Sequence, residues 1–451
     1  MTRINRLLVI NRGEIAVRTI RAASELGITT IAAYSDADET SLAVMLADES
    51  VRIGGAHAKK SYLNQEAILA AAKEVGADGI HPGYGFLSEN ADFAGAVEAA
   101  GLVWVGPSAA TISRMGDKSA AIETAKAAGV PVVPGSGGLV KDVEQGAAAA
   151  QEVGYPVLIK ATAGGGGRGI RVARDETELA QGITAAQQEA EAAFGDNGVY
   201  LERLVENARH IEVQVLGDGT EAMHFFERDC SLQRRRQKIW EEAPASVLSP
   251  EVRTRICEAA VQLAASVGYC GAGTVEFLYD PATEEFFFIE MNTRIQVEHP
   301  ITEEICGVDL IRAMLQVAQG EPLPYRQEEV AIRGHAIEVR INSEDPDRNF
   351  LPAPGTISEL RWAQGPGVRV DSMAYPGYTI PPYYDSLIGK LIVWAESREL
   401  AMARLGRALA ETRLEGPKTT LPFFQTLLAA EDVQSNEFHT TWLERRSEEG
   451  A

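Results

Sequence analysis

Leu7-Leu8-Val9-Ile10 is an unbroken apolar run of the length expected for a buried strand. The turn Asn11-Arg12-Gly13 follows it. From residue 14 to 26 apolar residues recur at helical spacing (Ile15, Val17, Ile20, Ala23), and Gly27 ends the pattern. Residues 28–34 read as a second strand. The same patterning predicts a helix over 64–75, a strand over 78–80, a helix over 90–100 and a strand over 102–105. This alternation implies a parallel sheet covered by helices.

After Gly106-Pro107 the rhythm changes. Short helical stretches run through 109–128, and a Pro/Gly-rich stretch over 129–138 reads as a boundary. A small α+β unit with a glycine run occupies 130–205. From about 206 onward long strands and hairpin turns predominate, the pattern of a mostly antiparallel sheet. A helix rich in Ala, Arg and Leu is predicted over 398–412, followed by a short charged tail. The expected organisation is therefore α/β and α+β: an α/β domain over 1–105, a helical linker over 106–129, the small unit over 130–205, and a C-terminal domain over 206–451.

In the small unit a strand, Tyr155 to Lys160, leads into Ala163-Gly164-Gly165-Gly166-Gly167-Arg168-Gly169, and Ile170 to Ala173 resumes strand character. The glycines match G-x-G-x-x-G, but a dinucleotide fold needs the motif to open a helix, and here it joins two strands. Such a tip can fold over phosphates through its backbone N–H groups, with Lys160 as a point charge, or it can be a plain hairpin tip.

Glu290-Met291-Asn292-Thr293-Arg294-Ile295-Gln296-Val297-Glu298 alternates throughout. Read as a strand, it places Glu290, Asn292, Arg294, Gln296 and Glu298 on one face. A solvated face has the same alternation. The preceding Phe286-Phe287-Phe288-Ile289, however, suggests a strand buried on both faces rather than an edge. A second strand, residues 273–278, joins it through a turn, and a plausible register sets Glu276 beside Glu290. Adjacent carboxylates either share a proton or hold a cation. Beside a suspected phosphate site, Glu276, Glu290 and Asn292 suit Mg²⁺, which favours oxygen ligands.

The bulk numbers narrow the partners. The chain has 451 residues, and its formal charge of −22 disfavours nucleic acid. The four cysteines have no metal or redox spacing, as expected of free thiols in a reducing cytoplasm. No segment has the length of a signal peptide core or a membrane span.

Several long motifs then resemble the biotin carboxylases, members of the ATP-grasp superfamily. They are Asn11 to Ala16, His81 to Asn90, Met115 to Lys118, Glu242 to Ala245 and Glu290 to Pro300, and the resemblance runs from near residue 4 to about 430. It implies a Rossmann-like N-terminal domain, an ATP-grasp lid that is mobile without nucleotide, and a C-terminal domain carrying most of the site. It implies ATP contacts from Lys118, Lys160, Gly166, Gly167, Glu202, Arg203, Leu204, Val205, His210, Arg236, Glu276 and Glu290. Arg236 and Arg203 stand where relatives more often have other residues, Lys in the case of Arg203. The resemblance also implies Mg²⁺ or Mn²⁺ on Glu276, Glu290 and Asn292. Lys238, Arg294, Gln296, Val297, Glu298 and Arg340 would surround bicarbonate and biotin, with Glu298, Arg294, Arg340 and Lys238 catalytic. His81 and His299 precede prolines and read as structural.

The activity so implied is carboxylation of biotin through carboxyphosphate, the first half-reaction of acetyl-CoA carboxylase in fatty acid synthesis. The enzyme would be a cytoplasmic homodimer serving a biotin carboxyl carrier protein and carboxyltransferase subunits. The chain itself would carry no biotin, since none of its eight Met is next to a Lys. Alternatives are the corresponding subunit of a propionyl-CoA or pyruvate carboxylase, another ATP-grasp carboxylate–amine ligase, or a nucleotide-binding subunit without activity.

Overall fold

The computed structural model describes residues 3–161, 170–194 and 198–449. They form two compact units. One comprises Met1–Val130, Arg209–Phe277 and Glu290–Ala451, the other Pro131–Ala208 and Leu278–Ile289.

The larger unit opens with a five-stranded parallel sheet in the order Glu49–Gly54, Thr29–Ser35, Arg6–Val9, Gly79–His81, Val103–Trp104. Alternation along the first strand explains why both faces are covered. Leu7 and Val9 enter one core with Ile15, Val17 and Ile20 of the helix Gly13–Glu25. Leu8 and Ile10 enter another with Ile68, Phe93 and Val97. The helices begin where side chains can cap them: Asn64, Asn90, Ser108 and Asp117 accept from the backbone N–H of Ala67, Phe93, Thr111 and Ala120. The strand Glu49–Gly54 and the short helix Leu42–Leu46 were not expected from the pattern. The strand lies at the sheet edge, so Glu49, Ser50 and Arg52 dilute its apolar signal.

The motifs near the N-terminus serve to join loops. Asn11 Nδ2 donates to Pro82 O at 2.6 Å and Tyr84 O at 2.8 Å. Gly83 has φ +64, and a Cβ there would meet Asn11 Nδ2 at 2.9 Å, so the turn requires glycine. Arg12 pairs with the buried Asp38 at 2.8 Å. Asn11→Ala would leave two carbonyls without their donor. We expect a loss of roughly 1–3 kcal/mol, read as a lower urea midpoint with an unchanged slope.

A second sheet has eight strands, which apart from residues 278–289 belong to the larger unit. Their order is Glu285–Asn292, Cys270–Asp280, Arg209–Asp218, Ala222–Arg234, Gln237–Ala243, His335–Asn342, Leu387–Ala395, Val368–Ser372. All the pairings with a resolved register are antiparallel. The strand carrying Phe286 to Ile289 is terminal in this order, which corrects the expectation that it is not an edge, while the consecutive Phe286, Phe287 and Phe288 are all buried, as expected of a strand covered on both faces. Its apolar run has another cause: Phe288 donates its N–H to Pro131 O at 2.7 Å and bridges Val132, so neighbouring chain covers the edge. The region after 412 is also more ordered than the expected charged tail. Helices Leu421–Leu428 and Trp442–Glu449 follow, and Phe424 and Leu427 pack with Leu405 and Leu409 of the helix Arg398–Glu411.

In the smaller unit Val157–Ala161 lies between Ile170–Ala173 and Val199–Arg203, antiparallel to both. The helices Val143–Val153 and Glu176–Phe194 complete it. Val157, Ile159, Leu179, Ile183 and Leu201 form its core. The expectation of a mobile glycine lid falls on residues 164–167, outside the described residues. All four cysteines are free, and no helix among the described residues is long and apolar enough to cross a membrane.

Candidate active site

The eight-stranded sheet gathers charges from distant parts of the chain. Alternation places His210 and Glu212 on one face of their strand. Arg228, Lys238, Glu276 and Arg340 come from four other strands. The strand expected over 290–298 ends at Asn292. Residues 293–298 form a connection into the helix His299–Cys306, where Pro300 occupies the first turn. The connection still delivers its polar residues to the same place.

Lys238 is the hub. Its ammonium lies 2.8 Å from Glu276 and 2.9 Å from Glu298, and it also pairs with Glu212. Glu298 is held on its other side by Arg340 Nη2 at 3.0 Å. Glu276 Oε1 also accepts from Asn292 Nδ2 and Gln296 Nε2, each at 2.8 Å. The His210 ring nitrogen is 3.0 Å from Glu276 Oε2. Beneath them lies Arg228, fully buried, which donates to Glu212, Gln214, Thr302, Thr274 and Gln296. Arg294 Nε donates to Glu89 at 2.9 Å, and its Nη2 donates to Asn292 Oδ1 at 2.8 Å.

These contacts set the charges. Burial alone would raise the Glu298 carboxyl. Lys238 outweighs it, helped by Arg340 and Arg228 against Glu212, so the group lies below its ordinary range and is ionised at neutral pH. Burial likewise opposes ionisation of Glu276, but Lys238 and His210 hold its pKa well below the usual value. Burial disfavours the charged His210 ring; Glu276 overrides that and lifts it to about 9. Glu290 moves the other way. Burial and then repulsion from Glu276 raise it, with Lys118 opposing. Its side chain is nevertheless solvent-accessible, so it meets solvent in a setting that still disfavours charge. Glu276 and Glu290 with the amide oxygen of Asn292 are hard donors, and the repulsion between the two carboxylates is what a divalent cation would relieve. The residues therefore fit Mg²⁺.

The structure brings together His210, Lys238, Glu276, Asn292, Arg294, Gln296, Glu298 and Arg340. Val297 lies between Gln296 and Glu298 in the connection, and its carbonyl accepts from the buried Lys390 at 2.7 Å. Lys118 opens the helix Lys118–Ala127 and is exposed. Arg236 is exposed at a hairpin tip with φ +64. In the smaller unit Lys160 pairs with Glu202. The Arg203 side chain is engaged by Glu285 at 2.7 Å and Asp280 at 3.5 Å, while Leu204 N–H donates to Pro156 O at 2.9 Å. Val205 packs with Ala208 and Phe287. Gly166 and Gly167 lie outside the described residues. His81 and His299 are fully buried. Burial, assisted by Arg18, pushes His81 down to about 3, and its Nδ1 accepts from Gly83 N at 3.0 Å.

Sequence reasoning did not single out Glu89, Glu212, Arg228 or Glu241. Glu89 carried a signal, since it lies within the His81 to Asn90 motif. Glu212 shares the alternation of His210. Arg228 and Glu241 acquire their partners only through strand register.

Three family models match the chain: "Biotin carboxylase, N-terminal domain" over residues 3–112, "Carbamoyl-phosphate synthase L chain, ATP binding domain" over 117–326, and "Biotin carboxylase C-terminal domain" over 338–445. Biotin carboxylase 1 of Bacillus subtilis is 55% identical over 442 residues, 98% of each chain. Among solved structures, the biotin carboxylase domain of a thermophilic 2-oxoglutarate carboxylase bound to ADP superposes with a TM-score of 0.94 at 48% identity, covering 98% of both chains. The dimer of that domain from Hydrogenobacter thermophilus, in complex with MgADP, ADP and bicarbonate, superposes at 0.86 with 48% identity, over 99% of this chain and 98% of that one.

Proposed function

The chain belongs to the biotin carboxylase family of ATP-dependent ligases, and from that premise we propose that it carboxylates biotin on a separate carrier protein, as the first half-reaction of acetyl-CoA carboxylase. The observation that carries the reading is the Lys238, Glu298, Arg340 constellation. It places an ionised carboxylate between two cations, beside a set of oxygen donors suited to Mg²⁺. A carboxylate–amine ligase has no need of such a base for bicarbonate.

In this mechanism Glu298 takes the bicarbonate proton. Bicarbonate is a weak acid, so the nearby cations Lys238 and Arg294 must favour its loss. The resulting oxyanion attacks the γ-phosphate of ATP, giving carboxyphosphate and ADP. Glu276, Glu290 and Asn292 would hold Mg²⁺, which neutralises charge on the phosphate oxygens; Mn²⁺ has compatible chemistry. Lys118, Lys160, Gly166, Gly167, His210, Arg236 and the segment Glu202 to Val205 hold the nucleotide, chiefly by positioning and charge. Carboxyphosphate then breaks into CO₂ and phosphate. The phosphate removes the N1′ proton of biotin, and Arg340 stabilises the enolate-like ureido oxygen as N1′ attacks CO₂. Gln296 and Val297 line the bicarbonate and biotin positions. The MgADP and bicarbonate in the Hydrogenobacter thermophilus relative support this assignment of ligands, and its dimer supports a homodimer. Carboxyltransferase subunits would accept the carboxyl group from the carrier in the cytoplasm.

The test is ADP release measured with and without bicarbonate and free biotin. Release should require bicarbonate and should rise with biotin. Equal release in bicarbonate-depleted buffer would overturn the proposal.

A further inference from the structure

Arg340 makes a second contact that the mechanism above does not use. Its Nε donates to Glu241 Oε1 at 2.7 Å, and its Nη2 lies 2.7 Å from the same oxygen while also holding Glu298 at 3.0 Å. The guanidinium is thus gripped from behind by one carboxylate and from the front by the proposed base. Glu241 is fully buried, and its other oxygen, Oε2, has no hydrogen-bond partner among the described residues.

Directly across the ladder from Glu241 stands Glu338, also fully buried, with neither carboxyl oxygen partnered among the described residues. Side chains at paired positions of an antiparallel ladder are nearest neighbours on one face. Two ionised carboxylates in that setting would be very costly. One proton between them would resolve the problem: a protonated Glu338 would donate to Glu241 Oε2, and Glu241 would keep its charge for Arg340.

We propose that Glu241 and Glu338 form a proton-sharing carboxyl pair that acts as a positioning device behind Arg340, fixing the guanidinium so that it can serve both Glu298 and biotin. The proposal rests on the biotin carboxylase reading of Arg340 and Glu298. The charged groups around the pair favour the arrangement. Arg340 and Lys238 face Glu241 and stabilise its charge, Glu298 opposes it, Lys390 lies beside Glu338, and Cys230 on the next strand is a neutral thiol. Burial drives Glu338 well above the carboxylate range despite Lys390, and Glu241 adds to the rise. Burial also raises Glu241, to about 7, against the pull of Arg340. Glu241 therefore holds Arg340 as a carboxylate above that pH and loses its charge as pH falls through it.

The experiment compares the full-length wild type with Glu241→Gln, Glu241→Asp, Glu338→Leu and Glu338→Gln, using pH profiles of biotin-dependent turnover, KM for MgATP and thermal unfolding. The wild-type profile should show an acidic limb near neutrality. Glu241→Gln should lose that limb and lower kcat with biotin by about 10- to 100-fold while KM for MgATP stays within about twofold. Glu241→Asp should recover part of the rate. Glu338→Leu removes the donor to Glu241 and should move the limb to higher pH; Glu338→Gln, which can donate an N–H, should return it toward the wild-type position. Infrared spectra should show the C=O stretch of a buried protonated carboxyl, lost in Glu338→Leu. A wild-type profile in Glu241→Gln, losses that simply track thermal stability, or no such carboxyl band would overturn the proposal. The infrared readout is independent of turnover, so it separates failure of the pair from failure of the biotin carboxylase reading, which would appear as bicarbonate-independent ADP release by the wild type.

Discussion

Glu298→Gln should bind MgATP like the wild type and lose bicarbonate-dependent ATP cleavage by about 10²- to 10⁴-fold, the range for removing a positioned general base. The substitution is nearly isosteric, and the amide oxygen can still accept from Lys238 or Arg340. What disappears is the capacity to take a proton. Because the cations keep the Glu298 pKa low, the wild type should use this base throughout the neutral range. Calorimetry for nucleotide affinity together with a coupled ADP assay separates the two effects. Turnover within a few-fold of wild type would rule out Glu298 as the base.

Arg340→Ala should slow biotin carboxylation by about 10²- to 10³-fold, the magnitude seen when one donor to a developing oxyanion is removed. The affinity for MgATP should change little, since Arg340 contacts Glu241 and Glu298 and none of the proposed metal ligands. The variant also leaves two buried carboxylates short of a counter-charge, so some loss of stability is expected. Arg340→Lys keeps the charge but loses the planar fork, and should fall between alanine and wild type. Comparable losses in ATP affinity and in biotin-dependent rate would exclude a role at the ureido oxygen.

The sequence disclosed most where a local pattern is sufficient. The unbroken apolar run from Leu7 to Ile10 and the helical spacing from Ile15 to Ala23 led directly to the covered parallel sheet, because a strand buried on both faces reads as a continuous apolar stretch. It disclosed less at edges. The strand Glu49–Gly54 is half polar, and Phe286 to Phe288 are apolar because chain at Pro131 and Val132 lies over a sheet edge. In the site, Glu276, Asn292 and Gln296 stood out because their spacing is local or bridged by one hairpin. Thr293 to Glu298 is not a strand, and Pro300 was the available sign of a helix start. Glu212 shared the alternation of His210, whereas the partners of Arg228 and Glu241 are set by register between strands, which no periodicity encodes.

One ammonium group answers to Glu212, Glu276 and Glu298 together. These carboxylates are therefore not independent characters. Replacing any of them frees Lys238 to lean toward the remaining two, altering the base and the metal site at the same time. A lineage cannot readily tune bicarbonate handling while leaving cation affinity untouched. Changes around this lysine should be tolerated chiefly in concerted sets, with each substitution's effect depending on which of the others came first.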